Sequence, residues 1–268
     1  MAPIELSVQK NIATITLNRP EKLNALTADL YYELGAAMRK VAAMPEVSVT
    51  ILTGTGRYFS AGADVQTTGG EIPDGDGSEE ATRRFWYKRF AANNIDVTRT
   101  FFTHPKILIV ALNGPAVGLS AALVGFADFI YAAPHAFIMT PFTSLGLVAE
   151  GGASYSFIRR MGIAKANEAL ILSRQIPCDE LVQCGFVNKV FEKEQFQEKV
   201  KAYVEDTFGQ HLNHDSMMKV KKLIREGWER EAEAANVREA VGGVERFTQG
   251  IPQQEFIKLA TGQKKHKL

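Results

Sequence analysis

The sequence predicts an α/β fold with one core built from repeated strand–strand–helix units and a helical C-terminal subdomain. Three observations predict it. Strand–strand–helix units repeat along the chain, rather than strict strand–helix alternation, which argues against a Rossmann sheet. Neither GxGxxG nor GxxxxGK[ST] occurs to restore that alternative. Beyond about residue 193 the chain becomes charged and helical with no linker before it, so the core is placed at 1–192 and the helical subdomain at 193–268.

The elements follow in order. Residues 4–8 and 11–17 alternate as two strands joined at Lys10-Asn11. After the loop Asn18–Ala25, Thr27 can cap a helix whose stripe is Leu30, Leu34, Met38 and Val41, with Pro45 marking its end. Val47–Leu52 reads as a short buried strand and Thr53–Gly56 as a turn. Residues 66–78 are rich in Gly and Asp and without periodicity, which predicts a mobile surface loop. A helix is expected over Glu79–His104, carrying Phe85, Trp86, Phe90, Val97 and Phe101, followed by a fully buried strand over 106–112. Asn113–Gly118 breaks it, and a small-residue helix begins near Leu119. Two short strands, 129–132 and 136–139, precede helices over 153–161, 164–172 and 178–184, then a strand over 186–190 and helices to the end.

The chain has 268 residues, 46% hydrophobic and 23% charged, enough for one large core. A formal net charge of +1 leaves no field for nucleic acid. Cys178 and Cys184 form neither a disulfide framework nor a zinc ribbon, and the five histidines include no HExxH, so no metal is expected. His211 and His214 read as a solvated helix start. The N-terminus lacks the pattern of a signal or transit peptide, and no run approaches a membrane span.

Three segments end a strand with a Gly-rich turn: Phe59-Ser60-Ala61-Gly62-Ala63-Asp64, Asn113–Ser120 and Leu145–Gly152. Each alone could be a tight turn, but glycines also let the backbone approach a ligand and aim N–H groups outward. Together with NRPEKLNAL near the start, FSAGAD, NGPAVGLSAAL and LGLVAEGG resemble the signature stretches of the crotonase (enoyl-CoA hydratase/isomerase) superfamily, in order and spacing, over about residues 5–190.

That resemblance implies a crotonase-like ββα spiral core with two roughly perpendicular sheets, and C-terminal helices that build trimers or dimers of trimers. It implies an acyl-CoA substrate and no separate cofactor, coenzyme A being part of the substrate. By position the family's oxyanion hole would use the backbone N–H groups of Ala63, after Gly62, and Leu119, after Gly118. Two preorganised donors of this kind stabilise the enolate that forms when a proton leaves beside a thioester, and a helix opening at Leu119 would add positive potential. Backbone around Ala61, Gly62, Ala63, Asp64 and Val65 would hold the adenine and pantetheine end. Lys22 is either a phosphate contact or a solvated surface lysine.

Hydratases of the superfamily resemble one another in using two glutamates, and here their positions hold Ala122 and Phe142. What remains is Glu150 in Ala149-Glu150-Gly151-Gly152, a placement similar to that of peroxisomal Δ3,Δ2-enoyl-CoA isomerases. One carboxylate can take a proton from C2 and return it at C4. Beside Leu145, Leu147, Val148 and Ala149 its pKa should be raised. The bland reading of Glu150 is a carboxylate at a helix N-terminus. Ser120 reads as a helix residue, Asp64 as a cap or loop organiser, Asp128 as a turn, Met217 and Met218 as core, and Lys219–Lys222 as a solvated face. The terminal His266-Lys267-Leu268 resembles the Ser-Lys-Leu peroxisomal address and predicts an import-receptor contact. The expectation is therefore a peroxisomal Δ3,Δ2-enoyl-CoA isomerase. A specialised hydratase and a non-catalytic CoA-binding homologue are its alternatives.

Overall fold

The structure is a computed structural model that describes residues 2–64 and 77–264. Val65, the 66–76 part of the expected loop and His266-Lys267-Leu268 lie outside the described residues.

Strands β1 (Ile4–Gln9) and β2 (Ile12–Leu17) form an antiparallel hairpin, and β3 (Val49–Gly54), β4 (Ile107–Leu112), β6 (Phe129–Ala132) and β9 (Lys189–Val190) extend it in parallel, in the order β1-β2-β3-β4-β6-β9. A second sheet joins β5 (Ala116–Val117), β7 (Phe137–Met139) and β8 (Ile176–Pro177). The strand pairs expected from sequence thus part company. β4 and β6 enter the large sheet while their followers β5 and β7 enter the small one, and a helix closes each turn. The segment before Ala61 joins this pattern through a parallel bridge between Ser60 and Ala116.

β4 explains the uninterrupted ILIVAL. Leu108, Val110 and Leu112 face the main core, whereas Ile107, Ile109 and Ala111 face a second cluster with Phe196, Val200 and Val204 from helix α7 (Phe196–Thr207). A strand buried on both faces has no polar side to alternate with. In the main core, helix α1 (Ala28–Ala42) inserts Tyr31, Leu34, Met38 and Val41, and Thr27 Oγ1 caps it by accepting from the Leu30 N–H at 3.2 Å.

Several expectations need correction. The strand runs from Val49 to Gly54, not from Val47 to Leu52, because Val47 donates to the Met44 carbonyl, while Thr53 and Gly54, expected in a turn, continue the pairing with Ala111 and Leu17. The helix expected over 79–104 is α2 (Glu79–Trp86), a π-helical turn over Tyr87–Ala91, and α3 (Ala92–Phe102). The strand expected over 186–190 is only β9, because the N–H groups of Phe186 and Val187 donate to the Leu181 carbonyl rather than to a neighbouring strand. The two helices expected over 153–161 and 164–172 are present as the halves of α5 (Ala153–Leu170), separated at Gly162, whose φ +73° and ψ 161° are non-helical. The face around Lys219–Lys222 is not uniformly solvated. Lys221, on α8 (His214–Arg225), is buried and donates to Asp128 at 2.6 Å, beside Arg225 at 2.5 Å from the same carboxylate. Asp128, read from sequence as fixing a turn, instead ties elements together: it also accepts from the Leu108 N–H of β4 at 2.7 Å.

The remaining helices are α4 (Gly118–Val124), α6 (Cys178–Gln183), α9 (Glu229–Thr248) and α10 (Ile251–Ala260). α9 packs on α2, the π-helical turn, α3 and α5, and α10 packs on α9 and on the Thr143–Leu145 turn. Among the described residues, no helix is long and apolar enough to cross a membrane.

Candidate active site

Two loops approach each other between the sheets and α1. The first is fixed by the early NRPEKLNAL segment. Leu23 and Asn24 adopt φ of +53° and +55°, which turns the chain so that the Ala61 N–H donates to the Leu23 carbonyl, the Leu26 N–H to the Gly62 carbonyl and the Asp64 N–H to the Leu26 carbonyl, each at 2.9 Å. In that parallel bridge between Leu26 and Ala63 the bonds run to residues 62 and 64. The N–H of Ala63 is therefore directed away from Leu26. Arg19 ties the loop from outside, Nη1 lying 3.0 Å from Asp64 and 2.9 Å from the Ala25 carbonyl.

The second loop ends β5 and opens α4 at Gly118, so Leu119 lies in the helix's first turn, where an N–H has no intrahelical acceptor. Gly62, at φ +87°, faces this loop so closely that a Cβ would stand 2.7 Å from the Val117 carbonyl oxygen, and Gly118 has φ +61°. A chain of buried hydroxyls binds the two loops. Tyr31 Oη lies 2.9 Å from Ser120 Oγ, Ser120 Oγ lies 2.9 Å from Ser60 Oγ, and Ser60 Oγ accepts from the Gly62 N–H at 3.1 Å. Ser120 is thus a helix residue, as the sequence suggests, and also a tie between the loops.

The third segment lies directly on the second. Gly151 and Gly152 have φ +66° and +68°, and a Cβ on Gly151 would stand 2.8 Å from Leu119 Cδ1 and 2.9 Å from Ala122 Cβ. Glu150 is buried, and its Oε2 accepts from Asn94 Nδ2 at 3.1 Å. Burial pushes its carboxyl up to about 8; the Asn94 hydrogen bond opposes the rise, and the charge of Glu239 adds to it. The expected elevation is present, and Glu239, far along the chain, contributes to it.

Lys22, Ala61, Ala63, Asp64, Gly118, Leu119 and Glu150 all line one cleft of about 780 Å³. Gly62 lies in the wall's loop, and Val65 is outside the described residues. The other end of the cleft is apolar: Trp86 and Phe247 stack with ring centroids 4.4 Å apart, next to Phe90 and Phe256. Ala122 and Phe142 are buried, and Phe142 lines the cleft. Among the described residues, the other carboxylate of the wall is Asp64, held by Arg19, and no cluster of His, Cys, Asp and Glu could hold a metal ion.

Sequence reading misses Asn94, Tyr31 and Glu239. Asn94 carries a signal: it stands among Phe90, Val97 and Phe101 at helical spacing, a polar residue on an apolar stripe. Glu239 carries the same one, seven residues after Ala232 and four after Ala235.

A model of the family described as enoyl-CoA hydratase/isomerase matches residues 7–242. The Δ(3,5)-Δ(2,4)-dienoyl-CoA isomerase of Pyricularia oryzae is 53% identical over 96% of both chains. The 3,2-trans-enoyl-CoA isomerase of Saccharomyces cerevisiae is 33% identical over 95% of this chain and 92% of its own. Among solved structures, an enoyl-CoA hydratase/isomerase from Pseudoalteromonas atlantica superposes with a TM-score of 0.85 at 24% identity over the whole of both chains.

Proposed function

Since this chain belongs to the enoyl-CoA hydratase/isomerase family, we propose that it is an isomerase moving the double bond of a 3-enoyl-CoA to the trans-2 position. The observation that carries this reading is the single uncompensated carboxylate, Glu150, in the described wall of a cleft that also holds Ala63 and Leu119. In this reading Glu150 takes a proton from C2. The electron pair moves through the thioester to its carbonyl oxygen, which the N–H groups of Ala63 and Leu119 stabilise at about 3 kcal/mol per donor. The same carboxyl then returns the proton at C4, and the C3=C4 bond becomes C2=C3. Nothing is gained or lost overall, so the reaction needs no resident cofactor; coenzyme A arrives with the substrate. Asp64, Lys22 and the backbone of 61–65 and 118 would contact that carrier. Water addition is disfavoured because Ala122 and Phe142 offer no group to position or deprotonate water.

A second reading, isomerisation of a 3,5-dienoyl-CoA to its 2,4-isomer, is favoured by the 53% identity to a relative of that name. It requires a proton to travel from C2 to C6. One carboxylate reaches C2 and C4 across a single intervening carbon, but C6 lies two carbons further, so that chemistry calls for a second acid. Glu150 alone therefore supports the shorter transfer. The test offers 3-enoyl-CoA, 3,5-dienoyl-CoA and 2-enoyl-CoA separately to the purified chain and follows each product spectroscopically. Fastest turnover of 3-enoyl-CoA supports the proposal. A faster dienoyl reaction selects the second reading, and comparable hydration of 2-enoyl-CoA removes both.

The same reading includes assembly into trimers or dimers of trimers, supported by Val220, Leu223 and Ile224 exposed on α8, and peroxisomal import through His266-Lys267-Leu268. Sedimentation tests the first. A fluorescent fusion with a free C-terminus, punctate when intact and diffuse without the tripeptide, tests the second.

A further inference from the structure

We infer that α9 aligns the Asn94–Glu150 pair, with Asn236 and Glu239 as its positioning residues. The inference rests on Glu150 being the base. The two α9 residues are three apart, so they project from one helix face, and both are buried. Asn236 Nδ2 donates to the carbonyl of Ile95 at 3.1 Å, the residue following Asn94 in the first turn of α3. Glu239 holds the other partner: Oε2 accepts from the Gly152 N–H at 2.6 Å and Oε1 from the Ser154 N–H at 2.8 Å. These are orphan donors at the start of α5, two and four residues after Glu150. One helix face thus grips the backbone on both sides of the Asn94–Glu150 hydrogen bond.

The choice of residue supports a task beyond packing. Gly152 at the N-terminus of α5 has no side chain to cap it, and a Cβ there would stand 2.5 Å from the Phe126 ring. The cap must therefore come from elsewhere, and Glu239 brings it from 87 positions away. A carboxylate buried with no cation against it, as Glu239 is among the described residues, costs stability unless backbone N–H groups and a helix dipole hold it. An apolar residue would fill the space more cheaply but could not accept from two N–H groups. Burial raises the carboxyl of Glu239 itself, which the N–H groups of Ser154 and Gly152 oppose, and in its ionised form its charge adds to the proton affinity of Glu150. The other groups facing Glu150 are Asn94 from α3 and the neutral phenol of Tyr31 from α1, while Lys22, Asp64 and Arg89 stand elsewhere in the cleft wall.

The experiment compares full-length Glu239→Gln, Glu239→Asp, Asn236→Ala and Glu150→Gln with the wild type on 3-enoyl-CoA, with circular dichroism and thermal unfolding as the fold control. The expected result is kcat lower by about ten- to a hundredfold in Glu239→Gln, Glu239→Asp and Asn236→Ala, as displacement of a reacting group by part of an ångström does, with KM little changed. The acid limb of kcat/KM should move to lower pH in Glu239→Gln, which loses the charge. It should stay near its place in Glu239→Asp, which keeps it. Folded Glu239 and Asn236 variants with wild-type kcat and an unmoved limb would overturn the inference. If Glu239→Gln does not fold, Glu239→Asp and Asn236→Ala decide on kcat alone. An active Glu150→Gln would remove the base itself and this inference with it; an inactive one beside wild-type α9 variants removes the inference only.

Discussion

Asn94 Nδ2 and Glu150 Oε2 meet at 3.1 Å inside the protein, and this hydrogen bond holds down the proton affinity of a carboxyl that burial drives up. Asn94→Ala should therefore move the acid limb of kcat/KM to higher pH, the direction opposite to Glu239→Gln, and lower kcat. A pH–rate series on the variant checks the direction; a limb moving down would mean that Asn94 serves some other end.

In the wild type, the free enzyme acts as a base when Glu150 is ionised. With its carboxyl at about 8, kcat/KM for 3-enoyl-CoA should climb with pH and level off above about that value. A plateau already reached near pH 5 would mean that a less perturbed group does the work.

Glu150→Gln keeps size and hydrogen bonding but cannot carry a proton, so kcat should drop by about 10²- to 10⁴-fold with KM nearly constant. Stability should move the other way. A carboxyl with a raised folded pKa binds a proton that the unfolded chain has already released, so the wild type loses stability as pH rises from about 4.3 to 8. The glutamine escapes this loss. Its gain in Tm should grow across that window and flatten above it, which thermal melts at four or five pH values will show.

Gly62→Ala should abolish turnover while leaving most of the fold. The new Cβ would press the Val117 carbonyl at 2.7 Å from a backbone at φ +87°, forcing apart the loops that carry Ala63 and Leu119. Activity together with a melting curve separates the two effects; near-normal kcat would mean that the loops do not need their present spacing.

Asp128→Asn tests the core. It leaves Lys221 and Arg225 buried without their carboxylate, and removing one partner of such a group costs about 3–5 kcal/mol. Denaturant unfolding should show that loss at unchanged chemistry per folded molecule.

Much of this is legible in the sequence. The cap at Thr27, the doubly buried ILIVAL and the Gly-rich turns follow from local rules, and Glu150 stood out as an acid in apolar company. Lys221 was not legible, because it sits among Lys219 and Lys222 while its partner Asp128 is 93 positions away. The π-helical turn left no mark either: YKRFA fits an α-helix as well, and only packing reveals the register change, with Phe90 pressed on Gly243. For Asn94 and Glu239 the stripe signals something polar, but not that one bonds the Glu150 carboxyl and the other the backbone just after it.

The cap that Glu239 places on α5 also fixes when in the life of the chain the pair can be complete. Synthesis runs from the N-terminus, and Asn94 and Glu150 leave the ribosome long before α9 does. Until residue 239 emerges, the N–H groups of Gly152 and Ser154 lack the acceptor found in the finished molecule. Because such contacts join segments far apart in sequence, their closure belongs to the slow end of folding.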